Sequence, residues 1–290
     1  MVLTALPPSV RELTLAYLEC VDDLAAGLVE GLYLTGSVAL GDFQRGGMLA
    51  RRGPSGATSS NVDFVAVISR STGLAEIAAL SRAHEELRRR FGRPYMSGLY
   101  VKWNDLALEP FRLWRRRYPY VREGRLRYDD RAEPSPAVWH ELAEYGVAVR
   151  GPDVGNRAIW TDPEMLALWC RVNLADYWLP WLRRSSNPLD LRAAVTLTDF
   201  GSAWPTLGVS CSHHTISTGA LISKTDAASQ ARSTFGPRWH RLLDESLRIH
   251  TSSSRRSFYP NPLKRRRETL HFVAMVMRRH ALLGKLWLEE

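Results

Sequence analysis

A chain of 290 residues, 45% hydrophobic and 24% charged, has the composition of an ordinary soluble globular protein and can bury one large core or two modest ones. No apolar run long enough for a membrane-spanning helix occurs, and Met1 to Pro8 has neither the basic start nor the apolar middle of a secretory signal. The formal charge of +9 comes mostly from arginine and bears on partners and solubility rather than on fold.

In chain order, Val10, Leu13, Tyr17, Val21, Leu24 and Leu28 recur every three or four positions and predict a helix. A short strand is expected over Leu32 to Thr35, broken at Gly36. The stretch Gly46 to Ser60, rich in Gly, Ser, Arg and Pro, reads as a loop. Val62 to Ile68 reads as a buried strand with one polar position, Asp63. Leu74 to Phe91 follows as a helix charged on one side, then Gly98 to Trp103 as a strand. Around Val147 to Pro152 the chain is expected to turn, with Gly151-Pro152 as a boundary.

Beyond it the pattern is helical: Asp162 to Trp181, Leu189 to Val209, Lys224 to Phe235, Arg238 to His250 and Pro262 to Leu286. Asp162 before Pro163 is a helix start signal, and Ser252 to Ser254 read as a polar linker. The expected fold class is α+β, with a sheet-and-helix domain over 1–152 followed by a helical bundle over 153–290. No internal repeat is present.

Cys20, Cys170 and Cys211 lie far apart and form no paired spacing, so a reduced, cytoplasmic protein is expected. Two basic stretches stand out: Arg112, Arg115, Arg116, Arg117, Arg122, Arg125 and Arg127, and then Lys264 to Arg267. Such surfaces can attract nucleic acid, anionic membrane or phosphorylated substrates. No recognition helix, zinc finger or RNA-binding signature accompanies them, so they read as solvated faces. A small molecule is the expected partner, and neither nucleic acid nor a membrane.

The chemistry-bearing stretch is Leu-Tyr-Leu-Thr-Gly-Ser-Val-Ala-Leu-Gly-Asp-Phe, from Leu32 to Phe43, followed by Ser60-Asn61-Val62-Asp63-Phe64-Val65. Strand, Gly-Ser turn, loop and a second strand with an acidic position resemble the signature of the nucleotidyltransferase superfamily. Glu141 to Pro152, Leu207 to Val209 and Ser217 to Ala228 are similar to the aminoglycoside (spectinomycin/streptomycin) adenylyltransferases. The similarity runs from about Leu32 to Leu247. It implies a nucleotidyltransferase-type mixed sheet and a helical substrate domain.

By that resemblance Gly36 and Ser37 hold a triphosphate, and two carboxylates on one strand face share two magnesium ions. A third carboxylate on the next strand would act as base, and an arginine and a lysine of the helical domain would bind phosphate. In this chain those positions are Asn61, Asp63, Ser97, Cys211 and Lys224, so one strand carboxylate and the lysine remain. An amide is a poor magnesium ligand, and loss of a positioned base costs on the order of 10²–10⁴ in rate. The resemblance therefore implies no metal site, or Asp63 alone, and no cofactor.

Cys211, His213 and His214 suggest metal ligands, but neighbours on a helix point about 100° apart, and zinc is not expected. His213 or His214 as a pocket acid/base stays open beside a surface role. Trp178, Trp181 and Trp204 line an aromatic pocket or belong to the core.

The expected function is a repurposed small-molecule enzyme of natural-product metabolism, performing ATP-independent chemistry such as cyclisation, dehydration or isomerisation in the cleft between the domains. Asp63, Ser37 and Ser97 are the expected catalytic groups; Gly36, Ser37, Asn61, Lys224, Cys211, His213 and His214 are the expected ligand contacts. The alternative is an active adenylyltransferase moving AMP from ATP to an aminoglycoside hydroxyl, with ATP and magnesium as cofactors and antibiotic resistance as its role. A non-catalytic small-molecule binding protein is the second alternative. The basic charge opposes a polycationic substrate.

Overall fold

The computed structural model describes residues 6–44, 60–113, 116–128 and 134–282. The loop expected over Gly46 to Ser60 lies outside the described residues except for Ser60, as does Arg115. The last expected helix, Pro262 to Leu286, ends already at Arg279, where Ala281 has a φ of 59°, and its expected positions 283–286 lie outside the described residues. The chain forms two compact units, the first ending at Asp162 and the second beginning at Pro163. Among the described residues no helix is long and apolar enough to cross a membrane.

The first unit is a mixed sheet with helices on both faces. Helix α1 (Pro8–Leu24) buries Val10, Leu13, Tyr17 and Val21 as the periodicity requires. It stops at Leu24, which is exposed, so Leu28 is buried from the loop that follows. The strands are β1 (Val29–Thr35), β2 (Val62–Ile68), β3 (Met96–Val101), β4 (Tyr120–Arg122), β5 (Arg125–Arg127) and β6 (Val147–Arg150). Their order is β5-β4-β3-β2-β1-β6; β2 and β3 run parallel and every other pair is antiparallel. The three strands expected from the sequence therefore lie side by side.

Alternation along the strands makes two cores. Leu32, Leu34, Phe64, Ala66 and Tyr100 pack with α1 and with α2 (Leu74–Phe91). Tyr33, Val65, Val67, Leu99 and Val101 pack with Trp139 and Leu142 of α3 (Pro136–Tyr145). In the first core His84 meets the Tyr100 hydroxyl at 2.7 Å, and burial pushes its pKa down to about 3, so the imidazole is neutral. Gly98 is the tightest point of the sheet. A Cβ there would lie 2.0 Å from the Phe64 carbonyl oxygen and 2.7 Å from its ring. Gly98→Ala is expected to destabilise the first unit by about 3 kcal/mol, the upper end of overpacking penalties. Urea unfolding checks this, and an unchanged midpoint would show that Phe64 can yield.

Three expectations are corrected here. Val147 to Arg150 is not a turn but a strand: Leu32, Tyr33 and Leu34 pair with it, and Arg150 is anchored to Asp22 and to the Val29 carbonyl. Only Gly151 turns, at φ 92°. The third strand starts at Met96 and ends at Val101, because Asp105 accepts from the Lys102 amide at 2.9 Å and opens a short helix at Trp103. The hairpin β4–β5 was not expected; its alternating arginines are exposed on the sheet edge.

The second unit is helical. The helix expected from Leu189 to Val209 is two, Leu191–Val195 and α4 (Asp199–Thr218). The break occurs where the Thr198 hydroxyl accepts from the Gly201 amide at 3.0 Å. α4 then runs on to Gly219, whose φ of 70° ends it. α5 (Lys224–Phe235), α6 (His240–Thr251) and α7 (Pro262–Arg279) follow. The expected Asp162–Trp181 helix is Pro163–Asn173 with a π-helical segment at Leu174–Trp178. Trp178 and Trp181 are buried and Trp204 packs against them, so these tryptophans belong to the core.

Candidate functional site

The site grows from the end of β1. Thr35 pairs with Asp63 on β2, and Asp63 with Ser97 on β3. Row-mates across a sheet share a face, here the one that also carries Tyr33, Val65 and Leu99 and receives α3. Beyond Thr35 the chain passes through Gly36 at φ 60° into a helical turn, Gly36–Ala39. A Cβ on Gly36 would lie 2.4 Å from Asp63 Oδ2, so glycine serves both the positive φ and the close approach of the carboxylate.

A second carboxylate arrives from α3. Glu141 Oε2 accepts a hydrogen bond from the Gly36 amide at 3.1 Å. Ser37 Oγ and Asn61 Oδ1 are buried here without a hydrogen-bond partner among the described residues. The Ser97 hydroxyl accepts from the Glu123 amide at 3.1 Å, tying the site to the β4–β5 hairpin. Thus Gly36, Ser37, Asn61, Asp63 and Ser97 are brought to one end of the first unit. Glu141 is the group that sequence reasoning left without a role. It lies 105 positions from Gly36, and nothing in its helical neighbourhood distinguishes it from a solvated glutamate.

The donor set does not suit a pair of magnesium ions. The strands supply one carboxylate, an amide and a hydroxyl, and the second carboxylate, Glu141 of α3, is engaged by the Gly36 amide, whereas a magnesium pair selects several charged oxygens. Among the described residues no group of three or more His, Cys, Asp or Glu side chains is placed to hold a metal ion.

The other expected site residues belong to the second unit. Cys211, His213 and His214 lie on α4, and Lys224 is exposed at the start of α5. His213 is half-buried against Phe235, with Nδ1 2.9 Å from Nε2 of His280. Burial, helped by His280, Arg279 and His214, pushes its pKa down to about 4, and burial also lowers that of His214. Both imidazoles are therefore neutral near pH 7. Burial and then the nearby Cys211 push the Cys170 thiol up to about 12, so it is inert as a thiolate.

The sheet and its helices form a nucleotidyltransferase-like fold. No family model matches the chain, and no curated protein sequence does. Among solved structures, the chain is similar to the spectinomycin adenyltransferase AAD(9) from Enterococcus, determined with ATP and spectinomycin. The TM-score is 0.56 at 11% identity, covering 93% of this chain and 98% of that one. Likeness at that identity establishes the fold.

Proposed function

We propose that the first unit carries an enzyme site for a small molecule, turned from nucleotidyl transfer to ATP-independent acid/base chemistry of the cyclisation, dehydration or isomerisation kind. One observation carries the reading: the Gly36 amide, the donor that the resemblance assigns to a triphosphate, is engaged by the Glu141 carboxylate. A polyanion at this turn would have to displace one carboxylate while facing Asp63, the other. Like charges in a partly buried site oppose that arrangement, and the amide of Asn61 and hydroxyl of Ser97 supply no charge to gather compensating metal. Asp63 is the acid/base group in this reading, and the unpartnered hydroxyl of Ser37 and carbonyl of Asn61 are free to orient a polar substrate.

Adenylyl transfer from ATP to an aminoglycoside hydroxyl is the second reading, favoured by the likeness to an adenyltransferase determined with ATP and spectinomycin and by Asp63 beside the Gly-Ser turn. Calorimetric titration with ATP and magnesium separates the two. The expected result is no saturable binding tighter than about 1 mM. Micromolar, magnesium-dependent affinity would overturn the proposal in favour of adenylyl transfer.

A further inference from the structure

The run Lys264-Arg265-Arg266-Arg267 is one basic stretch in sequence, but the first turns of α7 divide it. Arg265 points inward, where its guanidinium meets Asp199 Oδ1 at 2.5 Å and Glu245 Oε1 at 2.9 Å. Lys264, Arg266 and Arg267 instead line a cavity of about 530 Å³, together with His271, Ser186, Asn261 and the apolar Leu263 and Leu270. That volume is within the usual range of small-ligand sites.

Four features make this cavity a site rather than a solvated charge run. No acidic side chain lines it among the described residues, and Glu268, the one acid of α7, is engaged by the Tyr259 hydroxyl. Arg266 is fixed in place, its Nε 2.9 Å from Thr196 Oγ1 and its Nη2 2.8 Å from the Ser185 carbonyl, which leaves its remaining donors pre-ordered. The Ser186 hydroxyl is buried without a partner among the described residues. Burial first, and then Arg238, Arg267 and Arg278 against an opposing contribution from Glu268, lower the His271 pKa, consistent with the cationic lining. Asn261 Oδ1 already caps the amides of Leu263 and Lys264, so recognition falls to side chains and not to the helix end.

We propose that this cavity binds a phosphate-bearing small molecule, its phosphate held by Lys264, Arg266 and Arg267 and its organic part resting on Leu263 and Leu270. Three separately placed cationic donors match an oxyanion with three acceptor oxygens better than a planar carboxylate. The apolar floor calls for an organic phosphate rather than the bare ion. The site is independent of the Gly36–Asp63 chemistry, and its test does not depend on enzymatic turnover.

The experiment is calorimetric titration of the full chain, at low ionic strength, with inorganic phosphate and with phenyl phosphate. Co-sedimentation with phosphatidic-acid vesicles runs in parallel. Both soluble probes are expected to bind saturably, phenyl phosphate more tightly, and K264E/R267E should weaken both by roughly tenfold or more, the loss of charge-assisted hydrogen bonds. Lys264 and Arg267 are exposed, so that variant should keep its circular dichroism; K264Q/R267Q replaces it if the double reversal does not fold. Vesicle binding abolished by the same variants would assign the same chemistry to a lipid headgroup. Absence of binding to all three probes, or binding that the variants leave unchanged, would overturn the proposal. So would equal affinity for the two soluble probes, and so would RNA outcompeting phenyl phosphate.

Discussion

Glu245→Gln is expected to destabilise the second unit by about 3 kcal/mol, the lower end of what breaking a buried ion pair costs. Glu245 is fully buried on α6 and accepts from Arg248 Nε at 2.8 Å, Arg265 Nη1 at 2.9 Å, the Ser257 hydroxyl at 2.6 Å and the Phe258 amide at 2.9 Å. It therefore neutralises two buried guanidinium groups and pins the segment between α6 and α7. Glutamine preserves size but leaves Arg248 and Arg265 to share Asp199, which is half-exposed. The pH dependence has a definite sign. Burial alone would raise the Glu245 pKa, but the bonds from Arg248, Ser257, Phe258 and Arg265 outweigh it and hold it at about 2, against an ordinary 4.5. The unfolded chain thus binds the proton more readily than the folded one. This contribution is complete above the ordinary carboxylate value and is lost as pH falls from 4.5 towards 2. Thermal unfolding followed by tryptophan fluorescence between about pH 7 and pH 2 checks both points. A loss under about 1 kcal/mol near neutrality, or a variant as acid-sensitive as the parent chain, would show that Asp199 carries the network.

Asp63→Asn is expected to lower turnover by about 10²–10⁴, the usual contribution of a positioned acid/base group, while leaving the melting temperature nearly unchanged. Asparagine is close in shape to aspartate, and the contact with Gly36 needs only a small planar group above a residue without Cβ. The readout is the rate at which the protein depletes its substrate from a metabolite extract, with circular dichroism on the same sample. Gly36→Ala is the companion: its Cβ would meet Asp63 Oδ2 at 2.4 Å at a φ of 60°, so it should lose turnover and stability together. Turnover unaffected by Asp63→Asn would place the chemistry elsewhere and remove the central residue of the proposed function.

Local patterns carried much of the fold. Val62–Ile68 and Leu74–Phe91 are found where β-branched alternation and the 3.6-residue period place them, because each depends on neighbours within a few positions. The Gly-Ser turn and Asp63 were legible through the resemblance to nucleotidyltransferases, and so was Ser97, although the strand pattern alone began one residue later, at Gly98; the pairing of Asp63 with Ser97 is a product of the sheet. What the sequence did not disclose depends on partners far along the chain. Val147–Arg150 is a strand because β1 offers it an edge, and Leu189–Val209 breaks because the Thr198 side chain captures a backbone amide that a helix would otherwise use. Four consecutive cations carry no mark of which turns inward; Glu245 and Asp199 decide that for Arg265. The same holds at the candidate site. The resemblance named Gly36, Ser37, Asn61, Asp63 and Ser97 as candidates, but only the packing of α3 on the sheet brought the Glu141 carboxylate to the Gly36 amide, since a hydrogen bond spanning 105 positions has no local signature.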